Sequence, residues 1–128
     1  MAMVSTLNVR IATLEDVAGI VGVHRSGIER WLKREDGRVE EAHYKELSVR
    51  ERYLSGSPWV SIESCVVHIN NLLLEGQIAV AAEVDGRIVS EAELLISEEP
   101  VHGEIIKIAH LNVIEVHREF GDVELDGQ

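Results

Sequence analysis

Six histidines, at positions 24, 43, 68, 102, 110 and 117, are the residues of this 128-residue chain most suited to holding metals or moving protons. Imidazole is the side chain whose ordinary titration lies nearest neutral pH. No two of the six stand in the His-x-x-x-His spacing that places two ligands on one helical face, so no metal site is predicted. Cys65 is the only cysteine, which excludes an intrachain disulfide and a cysteine-based zinc cluster. It falls on an apolar helical face without an obvious basic neighbour and reads as a small buried hydrophobe rather than a nucleophile. Trp31 and Trp59 can line a pocket between helices or anchor the edge of a core.

The elements that must position these residues follow from periodicity and punctuation. Leu7-Asn-Val-Arg-Ile11 alternates as a strand does. Thr13-Leu-Glu-Asp16 is a capping box, and Val17, Ile20, Val21, His24, Ile28, Trp31 and Leu32 continue at helical spacing. The spacing therefore predicts a helix running to about Leu32, with Lys33–Val39 as a charged, solvated connection. Ser48-Val-Arg-Glu51 opens a second helix, and Gly56 closes it. Ser57-Pro58 predicts the N-cap and first position of a third helix, which Gly76 ends. From Ile78 the pattern is strand-like. Ile78–Val84 and Arg87–Ile96 flank Asp85-Gly86, a strong hairpin signal. Glu98–Gly103 reads as a longer turn before a last strand, Glu104–Val116. Strand, helices, then three strands is an α+β order, with helices packed on a mostly antiparallel sheet of about four strands.

Composition narrows the function classes. The length fits one domain, and 45% hydrophobic residues suit a packed core. A net charge of −11 without a basic stripe opposes nucleic acid and anionic lipid, and it suits a cationic ligand such as an amine. No apolar run approaches membrane-spanning length and no signal-peptide pattern opens the chain, so a cytoplasmic location is the default expectation.

In order and segment length the chain resembles the N-terminal half of the GNAT superfamily, the acetyl-CoA-dependent N-acetyltransferases. Val9-Arg-Ile-Ala-Thr-Leu-Glu-Asp-Val17 is similar to that family's first strand and helix start. Ile78–Ile96 resembles its second and third strands, and Ile114-Glu-Val-His-Arg-Glu-Phe120 its fourth-strand pattern. The resemblance implies acetyl transfer from acetyl-CoA to an amine. It places the edge that pairs with the pantetheine arm at Ile114 and Val116, in the manner of strand addition. It also carries a strand base over to His110, with Glu115 and Glu83 as the carboxylate alternatives for that role.

The family's Arg/Gln-x-x-Gly-x-Gly/Ala turn, whose N–H groups bind pyrophosphate, should follow. Here Gly121 is its one matching position, and Asp122-Val-Glu-Leu-Asp126 places three carboxylates next to it. The expectation is thus a GNAT-like domain over residues 1–121, incomplete at that turn, with an acidic tail at 122–128. A truncated or inactive transferase fits this, and so does the alternative of a non-catalytic interaction module. A last strand with an open edge predicts a homodimer.

Overall fold

The computed structural model describes residues 6–120. Strand β1 (Leu7–Ile11) leads through a 3-10 turn at Leu14–Asp16 into helix α1 (Val17–Ser26). The Thr13–Asp16 capping box forms as its sequence predicts: Thr13 accepts from the chain ahead of it, and the Asp16 carboxylate accepts from the Thr13 N–H. Helix α1 stops at Ser26, six residues before the apolar period ends. Trp31 and Leu32 belong instead to strand β2 (Trp31–Glu35), which pairs with β3 (Arg38–Ala42). The charged segment expected to be a connection is therefore a hairpin. Its cause is Asp36-Gly37, both at positive φ (49° and 75°), the two-residue turn whose twist matches antiparallel strands.

Helix α2 (Val49–Gly56) begins at the Ser48–Glu51 capping box. Ser57–Val60 is a 3-10 segment, and α3 (Ile62–Leu74) starts only at Ser61, whose side chain caps Ser64. Ser57-Pro58 thus opens a short turn of its own and not the long helix expected. Strands β4 (Ile78–Val84), β5 (Arg87–Val101) and β6 (Glu104–Val116) follow. The β5–β6 turn is tighter than expected, because His102 and Gly103 take the same paired positive φ and free Ser97–Val101 for the ladder.

The main sheet has the order β1-β4-β5-β6, with every pair antiparallel. The chain is α+β, with the helices inserted between the first and second strands of that sheet. Ile20, Val21, Cys65, Ile69 and Leu72 of α1 and α3 pack on Ala79 and Ala81 of β4, forming the core of one sheet face. The other face is apolar and uncovered among the described residues. Leu7, Val9 and Ile11 of β1 and Leu111 and Ile114 of β6 lie there, each 58–65% exposed. No described helix is long and apolar enough to cross a membrane.

Candidate active site

Glu91 and Glu93 stand two residues apart on β5, so both project from the helix-covered face. Their partners on β4 are Ala81 and Ala79, whose small side chains leave space for two carboxyls, while Glu115 and Val113 stand opposite on β6. Both acids are fully buried. Burial of this kind requires hydrogen-bonding partners, and each acid meets one imidazole. His24 Nε2 on α1 lies 2.7 Å from Glu91 Oε1, and His68 Nε2 on α3 lies 2.7 Å from Glu93 Oε1. Trp59 donates its indole N–H to Glu93 Oε2 at 2.6 Å. Its ring stacks on His24, centroids 5.1 Å apart and 13° from parallel, and meets His68 edge-on.

Environment separates the two carboxyls. Burial pushes Glu91 up to about 9, helped by its hydrogen bond with Glu93 and by the charges of Glu93 and Glu115. Burial acts on Glu93 in the same direction, but hydrogen bonds from His68, Glu91 and Trp59 outweigh it and hold that carboxyl below its ordinary value. Burial also pushes His24 down to about 4, with the charge of Glu93 opposing and that of His68 assisting. At neutral pH the short His24–Glu91 contact therefore joins two neutral groups, although its length is that of an ion pair. Glu91 Oε2 receives no hydrogen bond in the structure. The neighbouring acceptor for a proton on the Glu91 carboxyl is Glu93. Cys65 faces the same cluster, and burial, then the charges of Glu91 and Glu93, push its thiol up to about 12, so it is no nucleophile at neutral pH.

The cluster lies beneath a cleft of about 510 Å³. His24, Gly27 and Ile28 at the end of α1 form one wall, Ser55–Val60 contribute to a second, and Asn112–Glu115 of β6 form the third. The third wall is irregular: Glu93 pairs with Val113 and Leu94 with Leu111, so Asn112 is an extra, bulged residue. Bulges of this kind are enriched beside active sites. Gly56 is required where the walls meet, because a Cβ there runs into Val60 and comes within 2.8 Å of Ile28 Cδ1. Beyond Val116, a second hollow of about 680 Å³ is lined by Arg25, Ser26, His117 and Arg118, among others.

Of the residues singled out from sequence, Glu115 and Ile114 line the cleft. Val116 pairs with Ser90 on β5, next to the cleft wall. His110 is exposed, opposite Leu95, and is not among the cleft-lining residues. Glu83 sits toward the β1 side of the sheet, 3.3 Å from Arg10, which also grips Asp16 through two bonds of 2.8 and 2.7 Å. Arg10 first, then Asn8, holds the Glu83 carboxyl below the ordinary range. Gly121 and the acidic segment after it lie outside the described residues. His24, His68, Glu91 and Glu93 are the site residues that sequence reasoning did not nominate. The available signal was two acids at i and i+2 within an apolar strand, together with imidazoles placed in the apolar period of helices.

Comparison with known proteins bears on the fold. No family model matches the chain, and no curated protein matches it. Two crystal structures do. One is an acetyltransferase from Trypanosoma brucei, with TM-score 0.56 and 15% identity, over 95% of this chain and 68% of that one. The other is described as a possible acetyltransferase from Clostridium difficile 630, with TM-score 0.53 and 10% identity, over 94% of this chain and 64% of that one. The chain thus shares the α+β fold of these two structures, and spans about two-thirds of their length.

Proposed function

We propose that this chain carries out acetyl transfer from acetyl-CoA to an amine, with the cleft above His24 as the place of reaction. The observation that carries this reading is the His24 imidazole, backed by two fully buried acids, in the wall of a cleft formed by a bulged strand. Acetyl-CoA, when bound, supplies the acyl group and a thiolate leaving group. The edge of β6 at Ile114 and Val116, unpaired among the described residues, accepts an amide-bearing arm by strand addition. Arg25 and Arg118 bring positive charge to the hollow beyond it, where Glu119 also lies and Glu29 pairs with Arg118 at 2.8 Å. Glu115 attracts the ammonium form of the acceptor into the cleft. His24 takes the proton that the ammonium must lose before its nitrogen can attack.

Calorimetric titration with acetyl-CoA at low and moderate salt tests this reading. Saturable binding that weakens with salt is expected. Absence of binding at millimolar concentration overturns it.

A second reading rests on the uncovered sheet face. Leu7, Val9, Ile11, Leu111 and Ile114 form an apolar surface of the kind that marks an association site. A second copy of the chain covering that face makes a homodimer. Sedimentation equilibrium tests it: a dimer that Val9→Glu converts to monomer is expected, and a wild-type monomer contradicts it.

A further inference from the structure

A base held as low as His24 does not retain a proton at neutral pH, so what lies behind it determines where that proton goes. Behind it the hydrogen bonds converge on Glu93, which accepts from Glu91 on one side and from His68 and Trp59 on the other. His24 of α1 contacts Glu91, Glu91 contacts Glu93 on the same strand, and Glu93 contacts His68 of α3. Side-chain exposure along this series is 8%, 0%, 0% and 26%. The path thus begins in the cleft wall, crosses a fully dry segment, and re-emerges at His68. There it reaches a different hollow of about 490 Å³, lined by Val49, Tyr53, Pro58 and Val67 among others. Two buried acids in contact are unfavourable as mere packing, since an apolar pair of the same volume avoids the desolvation of both.

We propose that His24, Glu91, Glu93 and His68 form a proton relay that carries the acceptor's proton from the cleft to a second surface of the protein. The proposal rests on the acetyl-transfer reading for the origin of that proton. His24 is then the group that meets the substrate, and Glu91, Glu93 and His68 are positioning residues that act through it.

The transfer balances. A proton enters at the His24 ring nitrogen not engaged by Glu91. The Nε2 proton of His24 moves to Glu91 Oε1, and the proton on Glu91 Oε2 moves to Glu93. Glu93 is thereby neutralised, and His68, carrying a proton on each ring nitrogen for this step of the relay, releases the one that does not face Glu93 to solvent. One proton enters and one leaves, and no other bond changes. The titratable groups facing this path are His24 from α1, Tyr53 from α2, Glu63, Cys65 and His68 from α3, Glu91 and Glu93 from β5, and Glu115 from β6. β4 contributes only Ala79 and Ala81 opposite the acids. Trp59 contributes no proton. It fixes Glu93 and lies against both rings, stacked on His24 and edge-on to His68.

The test is His68→Gln in the full chain, with amine-dependent release of CoA thiol followed against pH and against the concentration of free imidazole. The expected result is a kcat lowered about tenfold in dilute buffer, with the KM for the amine unchanged and most of the rate restored by added imidazole. A kcat that neither falls nor responds to imidazole overturns the relay. A variant that lost activity through damaged packing would not be rescued, and that outcome also counts against it. A second measurement needs no turnover. In ¹⁵N NMR spectra at one fixed neutral pH, Glu93→Gln should shift the ring-nitrogen signals of both His24 and His68. Spectra in which the His24 signals do not respond overturn the relay. If the wild-type chain transfers no acetyl group, the functional reading fails by itself, and the NMR comparison decides the relay.

Discussion

Glu91 and Glu93 are neighbours on one face of β5, both wholly buried, yet their surroundings push the two carboxyls in opposite directions, Glu91 up and Glu93 down. The difference lies in their partners. Glu93 receives hydrogen bonds from His68 and Trp59, whereas Glu91 has only the neutral ring of His24 and faces the charges of Glu93 and Glu115. This asymmetry underlies both the candidate chemistry and the clearest stability prediction.

Glu91 has its carboxyl raised from an ordinary 4.5 to about 9 in the folded state, so between those values the folded chain binds the extra proton. Its contribution to stability is complete below 4.5 and is lost as pH rises toward 9. Stability should therefore fall progressively from pH 7 to 9. Glu91→Gln should abolish this alkaline slope. Denaturant midpoints of both proteins at pH 7, 8 and 9 check it, and equal slopes contradict it.

His24 acts with the opposite sign. Its ring is lowered from 6.5 to about 4, so the unfolded chain binds more protons between those values. Stability is lost as pH falls from 6.5 toward 4. His24→Gln should flatten this acid limb, visible in the same series extended to pH 4.5.

Asp16 joins two roles, accepting from the Thr13 N–H and from both guanidinium nitrogens of Arg10. Asp16→Ala removes the capping box and should lower stability by about 1–2 kcal/mol. Urea denaturation reads this directly, and a change below a few tenths refutes it.

Gly56 has no space for a methyl group, with Val60 and Ile28 in contact range. Gly56→Ala should destabilise the chain by roughly 1–3 kcal/mol through overpacking. Because Val60 and Ile28 line the cleft, it should also weaken acceptor binding, which a titration with amine would detect.

Glu115→Gln removes the carboxylate that lines the cleft. The KM for a cationic amine should rise about tenfold, the effect of roughly 1.4 kcal/mol, with kcat less affected. An unchanged KM would place the acceptor elsewhere.

The parts of the fold legible in sequence are those specified locally. The boxes at Thr13–Asp16 and Ser48–Glu51 and the turn at Asp85-Gly86 each need only a few residues, and each forms where expected. The end of α1 was not legible, because Ile28, Trp31 and Leu32 continue a helical period that the Asp36-Gly37 hairpin overrides. The buried acids were hidden by the period-2 pattern itself. On β5 the face bearing Ala92 and Leu94 looks like the inward one, and nothing in the alternation shows that α1 and α3 cover the face bearing Glu91 and Glu93. Only the pairing of β5 with the alanines of β4, and the arrival of two imidazoles from separate helices, makes that burial sustainable. Glu115 was legible as a candidate because it lies within the fourth-strand pattern. His24 was read as part of an apolar stripe, which it also is.

The measurement that tests the central claim most directly is the rate of CoA thiol release from acetyl-CoA with a panel of primary amines, for the wild type and for His24→Gln. The account predicts amine-dependent release by the wild type, reduced about 100-fold in a variant that remains folded. No amine-dependent release, or an equal rate in the variant, would contradict it.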